Sequence, residues 1–272
     1  MSSIGSLLNI ARNAMTSHQT AMLVTSNNVA NAEVDGYSRQ RAQLVTGPVT
    51  MESTGAMGSG VVVRDVSRVR DSLLDTTFRA DSASASGYGL KEDLVGQVSD
   101  VFGPLASAGI DDAMDSFWSA WSDLANQPGS APAKQLVRLS GDRLAAMLND
   151  ASARLSDVRG TTTDRLGSDV DQFNGLATQV GDLNREITLA EAGGQSAPAL
   201  RDERDRVLDT LSGLATVQIV RRGDGSAAVL LDGSSIVDGD SVRALDASGG
   251  TPATLRIVGS VQQIGLAGGT IG

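Results

Sequence analysis

At 272 residues the chain is long enough to bury a real core in one or two domains. Its formal charge of -10, with no basic stretch interleaved with aromatics, argues against a nucleic-acid backbone or an anionic membrane as the main partner. Cysteine is absent and aromatics make up only 3%, which excludes disulfides and thiolate metal sites and leaves Leu, Val, Ile, Met and Ala to fill a core, as in helical bundles and coiled coils.

The start, Met1-Ser2-Ser3-Ile4-Gly5, has neither the basic region nor the apolar core of a cleavable signal peptide. No run of about 18 apolar residues offers a membrane span. From Ile4 onward, Leu8, Ala11, Met15, His18, Met22, Thr25, Val29 and Ala32 recur at alternating steps of four and three, the spacing of a heptad seam. Ala, His and Thr soften it, so the spacing predicts a helix that is marginal alone and needs a partner to bury its seam. His18, the sole histidine, has no second His or Cys to complete a catalytic dyad and reads as a packing residue.

The helix ends in Asn27, Asn28 and Asn31, whose short amides compete for backbone groups. They signal either helix termination or a face that uses amides for contacts. Asp35-Gly36 then suits a turn, and Gly36-Tyr37-Ser38-Arg39-Gln40 leads into a strand. Two β-like runs follow, Gln40 to Thr46 and Gly60 to Val66, with Gly47-Pro48 and a flexible loop from Gly55 to Gly60 between them. Its Gly58-Ser59-Gly60 piece lacks the third glycine and the following Lys-Ser/Thr of a phosphate site. A second glycine-valine block, Gly60-Val61-Val62-Val63-Arg64-Asp65-Val66, runs on through Arg68, Arg70 and Asp71 into helix.

Helices are expected from Asp71 to Ser86, from Leu90 to Phe102 with a stop at Gly103-Pro104, and from Ile110 to Ala125, whose Met114, Phe117, Trp118, Trp121 and Leu124 share a face that should be core. The longest stretch, Ala131 to about Ala192, should loosen at Gly160-Thr161-Thr162-Thr163. Its stripe Val170, Phe173, Ala177, Val180, Asn184, Ile187 and Glu191 is apolar except at Asn184 and Glu191 and suits a lateral scaffold. After a Gly193-Gly194 break, Pro198 opens a helix carrying a third block, Leu200-Arg201-Asp202-Glu203-Arg204-Asp205, followed by Val207-Leu208-Asp209-Thr210-Leu211-Ser212. Its charges read as a solvated face with pairs worth about 0.2–0.5 kcal/mol each, and adjacent positions such as Asp202 and Glu203 point apart, which disfavours a metal site. From Thr216 the period turns to strand: Val217 to Arg222, Ala227 to Asp232, Ser241 to Leu245 and Thr254 to Val258, separated by Gly-Asp-Gly, Asp-Gly and Gly-Gly turns. Arg222-Gly223-Asp224 and the acids Asp232, Asp238 and Asp240 read as turn chemistry rather than an adhesion or calcium site.

The fold class is therefore mainly α with a β-rich C-terminal portion. An N-terminal coiled-coil helix spans 1–35, an extended β region 36–68, a long-helix bundle 69–214 and a short antiparallel β region 215–272. The Gly36-Tyr37-Ser38-Arg39-Gln40 element, the glycine-valine block and the third block, in that order, resemble the bacterial flagellar axial proteins, and the third block favours the hook-associated branch. The resemblance implies a structural subunit of the hook–filament junction rather than an enzyme, with no cofactor and no metal. It implies export through the flagellar type III apparatus without a cleaved signal, and an extracellular place in the flagellum. The implied partners are hook protein, a second junction protein, further copies in a ring and an export chaperone, with no nucleic acid and no membrane insertion. It also implies that the chain covers an N-terminal half, stopping before the returning C-terminal helices. Subunit contacts are expected at Ile4, Leu8, Met15, Met22, Asn27, Asn28, Val29, Asn31, Gly36, Tyr37 and Arg39. The rivals are another axial protein (second junction, hook or rod) and a non-flagellar coiled-coil adaptor.

Overall fold

The computed structural model describes residues 2–52, 55–102, 109–248, 254–260, 263–265 and 268–271. Among these the order is α1 (Ser2–Ala30), β1 (Gln40–Thr46), β2 (Val49–Glu52), β3 (Gly55–Gly58), β4 (Val61–Arg68), α2 (Ser72–Val101), α3 (Ile110–Asn126), α4 (Ala131–Glu191), α5 (Pro198–Leu214), β5 (Gln218–Arg221), β6 (Ala227–Leu231), β7 (Ser234–Asp238), β8 (Ser241–Val242), β9 (Leu245–Ser248) and β10 (Thr254–Ile257). The class is the expected one, long helices followed by small antiparallel sheets.

The 61 residues of α4 form one helix, about 90 Å long at 1.5 Å per residue. Ser130 caps it by accepting from the Ala133 amide. No loosening occurs at Gly160 to Thr163. The Thr161, Thr162 and Thr163 hydroxyls bond back to the carbonyls of Asp157, Val158 and Arg159, so the polar run is absorbed within the helix. The other helices lie along this axis. α3 packs on its N-terminal half, with Phe117 against Gly141, and α2 on its middle, where Leu90, Leu94 and Val98 face Leu155, Val158 and Leu166. α5 folds back along its C-terminal half.

The stripe on α4 is core from Val170 to Ile187, buried against Leu208 and Leu211 of α5 and Val229, Leu231, Ile236 and Val237 of the sheet ordered β5-β6-β7-β8. Asn184, polar within this stripe, is fully engaged. Its amide donates to the carbonyls of Ala227 and Gly239, and its oxygen accepts from the Ala227 N–H and from Arg204.

Several expectations need correction. α2 is a single helix through Gly87 and Gly89; at Gly87 the missing Cβ lets Gly268 and Gly269 lie against the helix, and Gly269 N–H donates to the Ala83 carbonyl. Glycine here serves close approach rather than a break. The aromatic face of α3 is not core: Ala113 and Ala120 are buried, while Trp118 is 62% exposed and Met114 and Trp121 are also open to solvent. The side of α3 that meets α4 is made of Ala113 and Ala120, with Phe117 half-buried against Gly141. Phe117 stacks edge-on to both tryptophans, which clusters the rings while Trp118 and Trp121 stay exposed. Part of the supposed Gly55–Gly60 loop is a strand, paired with β2 in an exposed ribbon. β7 comes unannounced, because Asp232-Gly233 on one side and Gly239 on the other disguise a run whose Ile236 and Val237 are buried. The expected strand from Ser241 to Leu245 divides between two sheets, β8 pairing with β7 and β9 with β10. Gly103-Pro104 and the Gly249-Gly250 turn lie outside the described residues.

Because Asn184 satisfies four polar groups at once, Asn184→Ala should cost at least about 3 kcal/mol. A urea titration should show the midpoint falling with little change of slope; an unmoved midpoint would contradict this account.

Candidate functional site

The site is built where α1 ends and β1 begins. Asn28, in the last turn of α1, donates its amide to the Gln40 carbonyl at 2.8 Å and accepts from the Gln40 N–H at 2.8 Å. The side chain thus takes the place of a neighbouring strand for the first residue of β1. Tyr37 adds its hydroxyl, donating to the same Asn28 oxygen at 2.8 Å. Burial, then the nearby Asp202 charge, holds the Tyr37 hydroxyl above its usual pKa, so it stays a donor. Asn31 donates to the Asn27 carbonyl and side-chain oxygen, closing the last turn of the helix. Gly36 has φ +80°, which favours glycine, and the Arg206 stem lies where a Cβ would point.

α1 rests on this turn and on the β1–β4 pair through a face of small and polar residues. Asn13 and Ser17 donate to the carbonyls of Ser59 and Val61, and Ile10 lies against Gly60. The seam points the other way: Ile4, Leu8, Met15, Met22 and Val29 are between 63% and 73% exposed, and Ala11, His18, Thr25 and Ala32 lie open among them. The helix therefore has two faces, one packed on its own chain and one free among the described residues.

Beneath the turn lies an ionic cluster that overturns the solvated reading of the third block. Asp205 of α5 is 0% exposed, Asp202 is nearly buried, and both reach Arg68 at the end of β4 at 2.8 Å. Arg79 from α2 reaches Asp205 at 3.3 Å and Asp209 at 2.6 Å, and Arg70 bonds Asp75 at 2.9 Å. Arg221 of β5 reaches Asp75 and Asp205. Four arginines thus meet four aspartates, drawn from β4, α2, α5, β5 and the link between β4 and α2. Burial pushes the Asp205 carboxyl up, but the facing arginines, led by Arg68 and Arg70, outweigh it and hold the group below the usual carboxylate range. Arg204, buried beside it, is pushed down to about 10 by desolvation and stays charged at neutral pH. The cluster also holds the turn, since Ser38 donates its N–H to Asp202 at 3.2 Å and accepts from Arg70. Only the outer pair, Arg206 with Glu203, is the exposed i,i+3 contact that the spacing suggests.

The expected contact residues accordingly divide. Asn27, Asn28, Asn31, Gly36 and Tyr37 are engaged within the chain and shape the turn, whereas Ile4, Leu8, Met15, Met22, Val29 and Arg39 are exposed. Ser38, Arg68, Arg70, Arg79, Asp202, Asp205, Asp209 and Arg221 escape the sequence reading. A signal existed: Asp202, Asp205 and Asp209 share a helix face, and Arg68 and Arg70 stand two apart where the β4 run ends. Among the described residues no group of acidic or histidine side chains is arranged to hold a metal, and no helix is long and apolar enough to cross a membrane.

A free helical seam, a braced turn and a long-helix domain define a structural protein built for assembly. Residues 8–37 match the family model described as flagella basal body rod protein, and residues 95–272 match that of the flagellar hook-associated protein FlgK helical domain. The chain belongs to the flagellar hook-associated protein FlgK family. It is 30% identical over 85% of its length to flagellar hook-associated protein 1 of Bacillus subtilis, covering 47% of that relative. To the Escherichia coli protein of the same name it is 26% identical over 90% of its length, covering 45%. The solved flagellar hook junction protein FlgK of Burkholderia pseudomallei superposes with a TM-score of 0.63 at 25% identity, over 72% of this chain and 37% of that one. The chain thus spans about half the length of the curated relatives it matches.

Asp205→Asn removes the one carboxylate that Arg68, Arg70, Arg79 and Arg221 share and leaves four arginines, three of them buried or half-buried, facing three aspartates, so it should destabilise by about 3–5 kcal/mol. An Asp with a folded pKa below its unfolded value of about 3.9 stabilises above that value and loses the contribution as pH falls through the folded pKa. The melting temperature should therefore fall below about pH 4 in the wild type. The D205N variant should lack that component; parallel profiles would contradict the assignment.

Proposed function

We propose that the chain is a structural subunit of the flagellar hook–filament junction, acting by association and not by catalysis. One observation carries the reading: every position of the α1 seam faces solvent while the opposite face of the helix is already occupied by its own chain. A stripe of Ile, Leu, Met and Val kept open along a 29-residue helix suits burial against another helix. The relatives' names, flagellar hook-associated protein 1 and flagellar hook junction protein FlgK, support a partner helix within a flagellar assembly. The adjoining partners would be hook protein on one side and a second junction protein on the other, with further copies closing a ring and an export chaperone before assembly. α1 carries no acidic residue in its first turn and no basic residue in its last, so no charge complements its dipole, which fits passage through a narrow export channel without a cleaved signal. The extracellular flagellum is then its place of work. The signature turn would set the angle between the seam and the long-helix domain, with Tyr37 as its strut.

Immunogold labelling of flagella from the source bacterium tests the reading: label should form one narrow band between hook and filament. Label along the hook would reassign the chain to a sister axial protein, and protein confined to the cell would favour an adaptor. Leu8→Glu with Met15→Glu should abolish filament attachment while the fold of α2–α5 survives. Tyr37→Ala should impair attachment; normal filaments on that variant would remove the strut role.

A further inference from the structure

The end of α1 and the start of β1 enclose an open groove of about 600 Å³, walled by Thr25 and Val29 on α1, Ala32 just past it, Arg39 just before β1 and Arg41 on the strand. Asn28 and Gln40 also line it, but they are taken up with each other. What the groove offers is a small apolar floor flanked by two guanidiniums. Arg39 and Arg41 are exposed and make no ion pair among the described residues, unlike Arg68, Arg70, Arg79 and Arg221.

Immediately beside the groove, the turn after α1 presents the complementary shape. Val34 is 52% exposed and lies between Glu33 and Asp35, both exposed and also without an ion pair among the described residues. The turn is closed beneath it, with Val34 N–H donating to the Asn31 carbonyl and Tyr37 N–H to the Val34 carbonyl, so the knob is fixed. One apolar side chain between two carboxylates faces outward, next to one apolar groove between two arginines, and the two do not meet within the chain.

We infer that the Glu33-Val34-Asp35 turn of one copy seats in the Thr25/Val29/Arg39/Arg41 groove of the next. The inference rests on the junction-subunit reading and gives that reading a self-contact. Val34 would cover the apolar floor, and the carboxylates would meet the guanidiniums in charge-assisted pairs. Passed in one direction, with each copy's knob in the next copy's groove, the contact is heterologous, the type that closes into a ring or continues as a helix of subunits. It also limits the seam: the last positions, Thr25, Val29 and Ala32, go to the neighbouring turn, which leaves the stretch from Ile4 to Met22 for a partner helix.

The chain has no cysteine, so engineered thiols report cleanly. The full protein should be co-expressed in the source bacterium as two variants, Val34→Cys and Thr25→Cys, and isolated flagella oxidised. A disulfide-linked dimer is expected with both variants present and absent with either alone. Separately, Arg39→Glu with Arg41→Glu should lead to loss of attached filaments while the protein still reaches the medium, and adding Glu33→Arg with Asp35→Arg to the same chain should restore attachment. No dimer, or dimers with either variant alone, overturns the contact. Arginine variants that the acidic reversals fail to rescue overturn it too, and would hand the groove to a different axial protein. If wild-type label still bands at the junction, such a failure sinks the contact alone; absence of label from flagella sinks the junction reading as well.

Discussion

Asp205 sits at the place where β4, α2, α5 and β5 converge, and no solvent reaches it. Taking a carboxylate out of water is costly, and a single guanidinium seldom compensates. Here arginines from three other elements converge on it, and Asp202, Asp209 and Asp75 balance the excess positive charge. An arrangement of this sort contributes less to net stability than an apolar plug of equal volume would. Its effect is on geometry: each arginine can be satisfied only if its parent element lies in one position. The helices, the β1–β4 pair and the four-stranded sheet are thereby locked to a common point. Ser38, bonded to both Asp202 and Arg70, carries that register into the signature turn.

A second device recurs at the first residue of three strands, β1, β9 and β6. Asn28 engages both the N–H and the carbonyl of Gln40, Asn174 those of Leu245, and Asn184 those of Ala227. In each case a side-chain amide completes a backbone that would otherwise need another strand or water. Small sheets tolerate burial beside long helices because the helices supply these surrogate edges. The same chemistry explains why Asn, an indifferent residue for helix interiors, occupies positions on the buried faces of α1 and α4.

How far the sequence is legible depends on whether a signal is local. Periodicity places α1, α3, α4 and α5 and the β1 and β4 runs, because heptads, capping residues and alternation are properties of neighbours in the chain. The helix starts expected at Asp71 and Ala131 fall where Asp71 and Ser130 cap α2 and α4. What fails depends on partners distant in sequence. Gly87 looks like a helix breaker until Gly269 is seen against it, and the charges of the third block look solvated until Arg68 and Arg79 arrive, more than 120 residues away along the chain. The aromatic face of α3 misleads in the opposite direction, since bulk alone does not specify a neighbour to cover it. Within the candidate site, the motif from Asn27 to Arg39 is visible from its residue types. The division of labour inside it, amides inward and the seam outward, is visible only once β1 lies beside α1.

The arrangement of α2 and α3 along α4 has a mechanical consequence. α3 packs on α4 near Gly141 and α2 near Leu155, and α4 is uninterrupted between the two contacts. Two shorter rods thus lie along successive stretches of a longer one, as a carpenter stiffens a beam with short lengths laid along it. Load applied along the axis is carried from one contact to the other by the hydrogen-bonded backbone of α4. The stiffness of the long-helix domain is therefore that of its continuous member.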